Sequence, residues 1–309
     1  MSIAERLNAD EPEEIAAVPL RHPWRWVAAA IIVVLVGLFA IGAATNKRYE
    51  WSTYGNYLFD QRISAAAWNT LQITFWAMVL GVLLGVVLAV MRLSPNPVLK
   101  STAWVYLWLF RGTPVYVQLA FWGLFSSIYP NLSLGVPFLH RFDTWNIQSI
   151  NAAFFFACLG LGLNEAAYMA EIVRAGIGSV GEGQSEAATA LGLSWTQTMR
   201  RIVLPQAMRV IIPPTGNELI SMLKTTSLVT AVPYSLDLYS RAHQIAGVNY
   251  HPIPLLLVAS TWYLAFTSIL MVGQFFLERR FARGMSRTMS ARQARAVAAV
   301  VGQPDAGAR

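Results

Sequence analysis

The chain has 309 residues, of which 55% are hydrophobic and only 13% are charged. That balance excludes an ordinary soluble domain, in which about a quarter of residues are charged, and is typical of a protein that crosses a membrane several times. The net charge is +7, but the basic residues lie between apolar segments and form no patch with interleaved aromatic side chains. The composition therefore predicts no nucleic-acid partner.

A polar tail and an apolar segment make up the N-terminal part of the chain. Residues 1–26 are predicted to form a cytoplasmic tail, because their acidic residues do not fit the basic start of a secretory signal peptide. Segment 27–44 is an uncharged run of 18 residues, just long enough to span a membrane. It is predicted to be an additional N-terminal transmembrane helix. The alternative is a leader that is cleaved near Ala44.

Five further membrane spans are predicted after this helix. The second span contains Gly81 and Gly85, whose spacing lets a neighbouring helix pack closely. The third segment is too long for one perpendicular span, and the Arg-Gly-Thr-Pro stretch at 111–114 is expected to break or bend it. Pro213 and Pro214 are expected to separate an entry piece from the fifth span. The five spans are predicted at about 67–91, 101–128, 150–172, 215–232 and 253–277. The segments between them are predicted to be a polar loop at 45–65, a proline-rich turn at 92–100, an outer loop at 130–143 and an outer segment at 234–251.

Basic residues determine the expected orientation of these six spans. On this topology five of them lie outside, two border the membrane and the other sixteen lie inside. That asymmetry places both termini in the cytoplasm, so the basic segment 282–309 becomes a cytoplasmic tail. The sequence thus predicts an all-α integral membrane protein with six transmembrane helices.

The sequence contains no pattern typical of a catalytic or metal site. Cys158 is the only cysteine, so no intrachain disulfide is possible, and no two of the four histidines have metal-ligand spacing. The phosphate-binding pattern G-x-x-x-x-G-K-[ST] is also absent. No catalytic residue, metal ion or bound cofactor is therefore predicted for this chain. The energy for any transport has to come from a partner chain or an ion gradient.

A polar, helix-forming segment, 182–204, lies between the fourth and fifth spans. Gly192 interrupts its helical pattern, as a chain-reversing residue at a helix C-terminus does. Ser194 then begins a second helix, and Gln197 completes a capping box with it. Pro205 is expected to end this second helix. The apolar residues of the second helix recur at helical spacing and are Trp195, Met199 and Ile202.

The fixed residues of this segment resemble the EAA motif of ABC importer permeases. The whole pattern E-A-A-x3-G-x9-I-x-L-P is matched, by Glu186, Ala187, Ala188, Gly192, Ile202, Leu204 and Pro205. In that family this part is the coupling helix region, which docks in a groove on a cytoplasmic ATPase. The resemblance therefore implies that these residues, together with Trp195 and Met199, contact an ATPase.

Three flanking stretches, 111–114, 164–177 and 223–228, are similar to the polar amino acid subfamily of these permeases. The resemblance covers about 66–281 and implies a MetI-like permease core formed by the last five helices. Many relatives have Asp or Asn where Thr225 stands, which leaves the identity of the substrate open.

The same resemblance implies the partners of the chain. The transporter would contain two permease subunits, identical or homologous, and two cytoplasmic ABC ATPases that use Mg-ATP. It would also contain an extracytoplasmic substrate-binding protein. The substrate would be a small polar amino acid, and the location would be the bacterial cytoplasmic (inner) membrane.

Polar residues within the predicted fifth span indicate a route for the substrate. Asn217, Ser221 and Lys224 lie at i, i+4 and i+7 on a helix, with Thr225 next to the last of them. A polar face on a membrane helix lies against water or another subunit, because contact with lipid is costly. We therefore predict that this polar stripe lines the substrate pathway or the seam between subunits.

Charged residues at membrane depth extend this candidate pathway to Glu165 and Arg111. Lys224 has two interpretations of equal weight. In one it forms a structural ion pair with Glu165 or Glu218, and in the other it meets the carboxylate of a substrate.

Two other classes of function remain open at this point. An ion-gradient-driven secondary transporter of small polar solutes would use an intramembrane carboxylate such as Glu165, but it leaves segment 182–204 unexplained. A structural subunit of a membrane complex would have no pathway of its own. ATP-dependent uptake that persists with an uncoupler distinguishes an ABC importer from the first alternative.

Overall fold

The computed structural model of the chain describes residues 23–136, 140–146 and 152–281. The start of the predicted N-terminal tail, up to residue 22, and the predicted basic tail 282–309 lie outside the described residues. The described part is almost entirely helical, as expected for the all-α class, and has one short β-hairpin. The chain divides into two units between Glu50 and Trp51.

The first unit contains one long apolar helix and a short 3-10 turn. Helix α1 spans Pro23–Thr45 and is long and apolar enough to cross a membrane. The turn Lys47–Tyr49 follows, and the Asn46 side chain caps it by accepting a hydrogen bond from the Arg48 backbone N–H at 2.9 Å. The predicted additional span at 27–44 falls within α1, and its role as a transmembrane helix stays a prediction.

The described part of the second unit is built from helices of very different lengths. In chain order they are α2 (Trp51–Leu58), α3 (Gln61–Leu93), α4 (Pro97–Gly112), α5 (Val115–Ile128), α6 (Ala152–Gly178), α7 (Glu182–Ala190), α8 (Trp195–Thr198), α9 (Leu204–Thr225), α10 (Leu238–Asn249) and α11 (Pro252–Phe281). A π-helical turn, Met199–Val203, joins α8 to α9, and a 3-10 turn, Thr226–Ala231, follows α9.

An antiparallel hairpin follows α5, where a loop was predicted. Strand β1 (Asn131–Val136) pairs with strand β2 (His140–Asn146), and the register shifts by a bulge after Leu134. The described part of this outer segment is therefore ordered as a pair of strands.

Helices α3 and α6 pack closely along their length, and two glycines make this possible. A Cβ atom on Gly81 would lie 2.6 Å from Glu165 Cγ, and one on Gly85 would lie 2.5 Å from Met169 Cβ. Both distances are too short for a real contact, so the helices approach as they do only because these positions lack side chains. The predicted role of this glycine pair is confirmed.

Two of the clusters of buried apolar side chains hold other helices to α3. One joins α3, α5, α6, α9 and the 3-10 turn after α9, and its members include Ile73, Leu119, Leu161, Met222 and Val229. The other joins α3, α10 and α11, and its members include Ile63, Leu238, Leu255 and Val258.

The segment 45–65, predicted to be a polar loop, is mostly helical. Its helix α2 lies against α11, where the Tyr54 hydroxyl and Thr261 Oγ1 are hydrogen-bonded at 3.0 Å. Trp262 Nε1 also donates to the Leu58 carbonyl at 2.8 Å. The loop prediction was wrong because these contacts with a distant helix stabilise α2, and a short segment does not reveal such contacts by its own pattern.

Two predicted breaks had opposite outcomes. The break in the third segment is confirmed, since α4 ends at Gly112 and α5 begins at Val115. The predicted separation at Pro213 and Pro214 is wrong, because α9 continues through both prolines. Prolines are tolerated within membrane helices where neighbouring side chains satisfy the freed backbone groups.

Among the described residues, four helices are long and apolar enough to cross a membrane, namely α1, α3, α6 and α11. Helix α5 is apolar but has only 14 residues, and α9 is not among the four because it carries polar residues. Six transmembrane helices therefore remain a prediction, in which α5 and α9 are the two spans that length and composition alone do not indicate.

Candidate functional site

The turn between α7 and α8 is a Schellman motif. Gly192 has a φ of +74°, and its N–H donates to the Thr189 carbonyl at 2.9 Å. The next N–H, that of Leu193, donates to the Ala188 carbonyl at 3.0 Å. Glycine adopts this left-handed conformation without the steric cost of a Cβ atom. The predicted chain reversal at Gly192 is thus confirmed.

Helix α8 begins as predicted but does not end as predicted. The Ser194 N–H donates to Gln197 Oε1 at 2.9 Å, and the Gln197 N–H donates to Ser194 Oγ at 3.4 Å, which confirms the capping box. Pro205 was expected to end the helix, but it follows directly on the π-helical turn Met199–Val203, and the chain stays helical through it. Thr198, Met199, Val203 and Leu204 have right-handed helical backbone angles, and the residues between them form the π-helical turn. The helical path is therefore continuous from Trp195 into α9.

The segment 182–204 exposes large apolar side chains beside a charged one. Leu191 is 81% exposed and Trp195 is 74% exposed, and Glu186 is exposed nearby in sequence. By contrast, Ala188 is only 1% exposed and belongs to the interior of the segment. Among the other predicted contact residues, Ala187, Gly192, Leu204 and Pro205 are exposed, and Met199 and Ile202 are partly buried. An exposed apolar surface of this kind is typical of a docking site.

Two of the charged residues in the candidate pathway lie apart from its polar stripe. Glu165 is 5% exposed at the contact of α3 and α6, and its Oε1 has no hydrogen-bond partner among the described residues. The Arg111 guanidinium lies over the ring of Tyr168, 5.4 Å from its centroid. A local ion pair near the end of α6 is formed by Glu171 Oε2 and Arg174 Nη2 at 2.7 Å.

A cavity of about 450 Å³ between α9 and α11 brings the polar stripe together. Asn217, Ser221 and Lys224 line it. Thr225 does not line it and instead donates from Oγ1 to the Ser221 carbonyl at 2.9 Å. Within the described ranges Lys224 forms no ion pair, so the structure gives no support to a structural pair with a neighbouring carboxylate.

The sequence analysis missed two polar residues of this cavity, Gln274 and Glu278 of α11. Gln274 Nε2 donates to Glu278 Oε1 at 2.8 Å and to the Pro213 carbonyl at 2.7 Å. Their i, i+4 spacing at the end of an apolar helix was the available signal. The predicted span ended at residue 277, so Glu278 was placed outside it and was not considered together with Gln274.

A family model described as the inner membrane component of binding-protein-dependent transport systems matches residues 81–283. The chain belongs to this family. Its membership agrees with the EAA pattern, which lies wholly within the matched range.

Curated relatives in this family are similar to the chain over most of their length. The arginine transport system permease protein ArgU of Corynebacterium glutamicum is 60% identical over 93% of this chain and 90% of its own. The histidine/lysine/arginine/ornithine transport system permease protein HisM of Salmonella typhimurium is 35% identical over 69% of this chain and 89% of its own.

Solved structures agree with this assignment. An amino acid ABC transporter crystallised with histidines is 33% identical, with a TM-score of 0.59 over 76% of this chain and 99% of its own. The MetNI methionine transporter is 18% identical with a TM-score of 0.55, over 72% of this chain and 97% of its own, which shows the shared fold alone.

Membership of this family establishes the class of function. The chain is a multi-pass membrane permease subunit of an ABC importer for polar amino acids, with a MetI-like fold. It is a transport component, and ATP is hydrolysed by a separate subunit in systems of this kind. An ion-gradient-driven transporter and a purely structural subunit are therefore both set aside.

Proposed function

We propose that this permease imports arginine or a closely related cationic amino acid. Two relatives support this, since ArgU is named for arginine transport and HisM for histidine, lysine, arginine and ornithine transport. The similarity to ArgU extends over 93% of this chain, so it includes the membrane helices that a substrate crosses.

The proposed assembly contains two permease subunits, two cytoplasmic ABC ATPases and an extracytoplasmic substrate-binding protein. Each permease crosses the bacterial cytoplasmic membrane six times, with α5 and α9 as the third and fifth spans. Both termini and segment 182–204 lie in the cytoplasm, on the side where most of the basic residues are found. The permease domain covers about 66–281.

Segment 182–204 is the proposed contact with the ATPase. Its exposed apolar side chains, Leu191 and Trp195, fit an apolar groove, as amphipathic helices commonly dock. Glu186 supplies a polar contact at the same surface. The continuous helical path from Trp195 through the π-helical turn into α9 is the single observation that carries this proposal. A displacement at Trp195 is passed along this continuous helical path to the cavity lined by Lys224.

Transport follows by alternating access. Closure of the ATPase dimer moves the two docking segments together, and the helices attached to them reorient the cavity from one side of the membrane to the other. Net transport in one direction requires that the two states of the permease bind substrate with different affinity. A ligand that both states bind equally does not shift the equilibrium between them.

ATP-dependent uptake by the complete transporter in proteoliposomes tests this function. We expect labelled arginine to accumulate with an uncoupler present and unlabelled lysine to compete better than glutamate. Uptake that collapses with the ion gradient, or that glutamate inhibits as strongly as arginine does, contradicts the proposal.

A further inference from the structure

Three arginines from α3, α4 and α6 surround a single carboxylate. Arg174 Nη2 lies 2.7 Å from Glu171 Oε2, and Arg92 Nη2 lies 3.8 Å from Glu171 Oε1. Arg111 interacts electrostatically with the same carboxylate, and its guanidinium lies over the ring of Tyr168. Three positive charges against one negative charge leave this arginine cluster with a net charge of +2.

Two of these arginines have unused hydrogen-bond donors. A guanidinium group carries five N–H donors, and the 3.8 Å contact of Arg92 with Glu171 is too long for a hydrogen bond. Arg92 Nε is excluded from solvent and has no partner among the described residues. Arg111 contacts the Tyr168 ring and, within the described ranges, donates no hydrogen bond from its guanidinium. The cluster therefore offers an anion both charge and hydrogen-bond donors.

The arginine cluster lies near the ends of two apolar helices. Arg92 is in the last turn of α3, and Arg174 is about 6 Å along the helix axis from Gly178, the last residue of α6. Both helices are long and apolar enough to cross a membrane. The cluster is therefore at the depth where the hydrocarbon core gives way to lipid headgroups. On the proposed topology this is the cytoplasmic side.

An exposed aromatic face of α4 adjoins the arginine cluster. Trp104, Trp108 and Arg111 lie at i, i+4 and i+7, so they share one face of this helix. Trp104 is 53% exposed and Trp108 is 64% exposed, and their rings stack with centroids 6.4 Å apart. Lys100, also exposed, lies one turn before Trp104 on the same face. Tryptophan beside basic residues is typical of a surface at the membrane–water boundary.

From this charge and this surface we propose that the arginine cluster binds the phosphate of an anionic phospholipid. Arg92 and Arg111 donate hydrogen bonds to the phosphate oxygens, and Arg174, held by Glu171, adds positive charge. The acyl chains lie against the exposed aromatic face of α4. The inference does not depend on which amino acid is transported, and only the choice of leaflet rests on the proposed orientation.

A lipid fits this site better than a free anion for two reasons. Guanidinium groups form parallel hydrogen bonds with phosphate oxygens, and basic pockets between membrane helices bind lipid headgroups in this way. A free phosphate would satisfy the charge but would leave Trp104 and Trp108 uncovered. A phospholipid satisfies the charge and covers the apolar face with one molecule.

Native mass spectrometry of the purified permease–ATPase complex, delipidated in detergent, tests this site. The complex is titrated with phosphatidylglycerol or with phosphatidylcholine, which has the same phosphate but no net charge. We expect phosphatidylglycerol to bind each permease about tenfold or more tightly than phosphatidylcholine, because several basic residues act on one headgroup. Equal binding of the two lipids, or displacement of phosphatidylglycerol by millimolar inorganic phosphate, overturns the proposal.

Two substitutions locate the site. Arg92→Gln and Arg111→Gln should each lower the affinity for phosphatidylglycerol by about fivefold and leave that for phosphatidylcholine unchanged. Arg280→Gln is the matched control, since it removes an exposed charge at the end of α11, outside the arginine cluster. If this control lowers the affinity as much as the other two variants, general positive charge binds the lipid and the proposal is wrong.

Glu171→Gln distinguishes lipid binding from a purely structural ion pair. The substitution keeps the shape of the side chain but removes the carboxylate that competes with the phosphate, so the affinity for phosphatidylglycerol should rise by about fivefold. A structural ion pair instead predicts lower thermal stability with unchanged lipid binding. If Arg92→Gln or Arg111→Gln separates the two permeases in detergent without lipid, the cluster faces the second permease and the proposal is likewise wrong.

Discussion

The side chain of Gln274 on α11 donates a hydrogen bond over 2.7 Å to the backbone carbonyl of Pro213 on α9. Pro213 and Pro214 lie inside α9, and two interior prolines remove two helical hydrogen bonds at a cost of about 3 kcal/mol or more each. The Gln274 amide supplies a polar contact at this weakened point. It also joins the helix that leads to the docking segment with the last helix of the chain.

Substitution at Gly216 is expected to disturb this junction. A Cβ atom there would overlap Gln274 Oε1, so Gly216→Ala should push this side chain aside and destabilise the complex by about 0.5–1.5 kcal/mol, the contribution of one hydrogen bond. The same substitution should cost much less in a Gln274→Ala background, because the overlapping amide is gone. Thermal unfolding of the purified complex measures the loss of stability in both backgrounds.

Gly273→Ala provides the control for the Gly216 experiment. No atom lies within 4 Å of the position that its Cβ would take, so this change should be neutral or slightly stabilising by helix propensity. An equal loss of stability from Gly216→Ala with and without the Gln274 side chain contradicts the proposed overlap.

Local sequence patterns predicted those features that neighbouring residues determine. The Gly192 reversal and the capping box of Ser194 with Gln197 depend on hydrogen bonds within a few residues, and both were found as expected. The Gly81 and Gly85 pair was predicted because small-residue spacing is itself a packing signal.

Features that depend on distant contacts were not predicted. Helix α2 was taken for a loop because its stabilising bonds reach Thr261 and Trp262, about two hundred positions away. The prolines of α9 were taken for a break, but the helix continues through them, and the contact of Gln274 with the Pro213 carbonyl comes from another helix, which no local pattern reveals. Glu278 was missed for the same reason, since only the fold brings it to the cavity of Lys224.

Substitution of Gly85 by alanine is expected to lower stability more than the same substitution at an exposed glycine. A Cβ atom at this position would lie 2.5 Å from Met169 Cβ and 3.1 Å from the Ala170 backbone nitrogen. Because backbone cannot move aside as a flexible side chain can, Gly85→Ala should push α3 from α6 and lower stability by about 1–3 kcal/mol. Gly55→Ala, in open space on α2, is the control. Equal melting temperatures for the two variants would show that a Cβ atom at position 85 fits between α3 and α6, and would contradict this prediction.

The stability of the complex is expected to fall with rising pH through Asp237. This carboxyl caps α10 and is completely buried, and among the described groups its Oδ1 has no hydrogen-bond partner. Burial raises its pKa above the usual range. The folded state therefore binds this proton more tightly than the unfolded chain, and the stability it contributes is lost as pH rises above about 3.9, the ordinary value.

Asp237→Asn should remove this dependence while keeping a good helix cap. We expect the melting temperature of the variant to exceed that of wild type by an amount that grows as pH is raised. Asp60→Asn is the matched control, because Asp60 also caps a helix but its hydrogen bond with Arg62 lowers its pKa. Its contribution is lost as pH falls, so the opposite trend is expected. Parallel pH profiles for wild type and Asp237→Asn would contradict this account.

The final prediction concerns the link between segment 182–204 and the ATPase. Gly192 has a φ of +74°, at which a residue with a side chain is strained by about 1–3 kcal/mol. Space around it is open, so Gly192→Asp should change the angle between α7 and α8 without disturbing the membrane helices. Glu186→Lys reverses the exposed charge of the same surface.

Both variants should fold and insert into the membrane normally. Either the ATPase should dissociate from them, or it should hydrolyse ATP at the same rate with and without the loaded binding protein. Co-purification of the ATPase and its stimulation by the loaded binding protein in nanodiscs measure these two losses. Gly183→Ala, in open space on α7, should keep both properties, because it changes neither the turn nor the charge. Since Leu191 and Trp195 are exposed on either side of Gly192, a tilted turn separates the two apolar anchors and they no longer fit one groove. Unchanged co-purification together with unchanged stimulation in Gly192→Asp and Glu186→Lys would mean that the ATPase is driven from another surface.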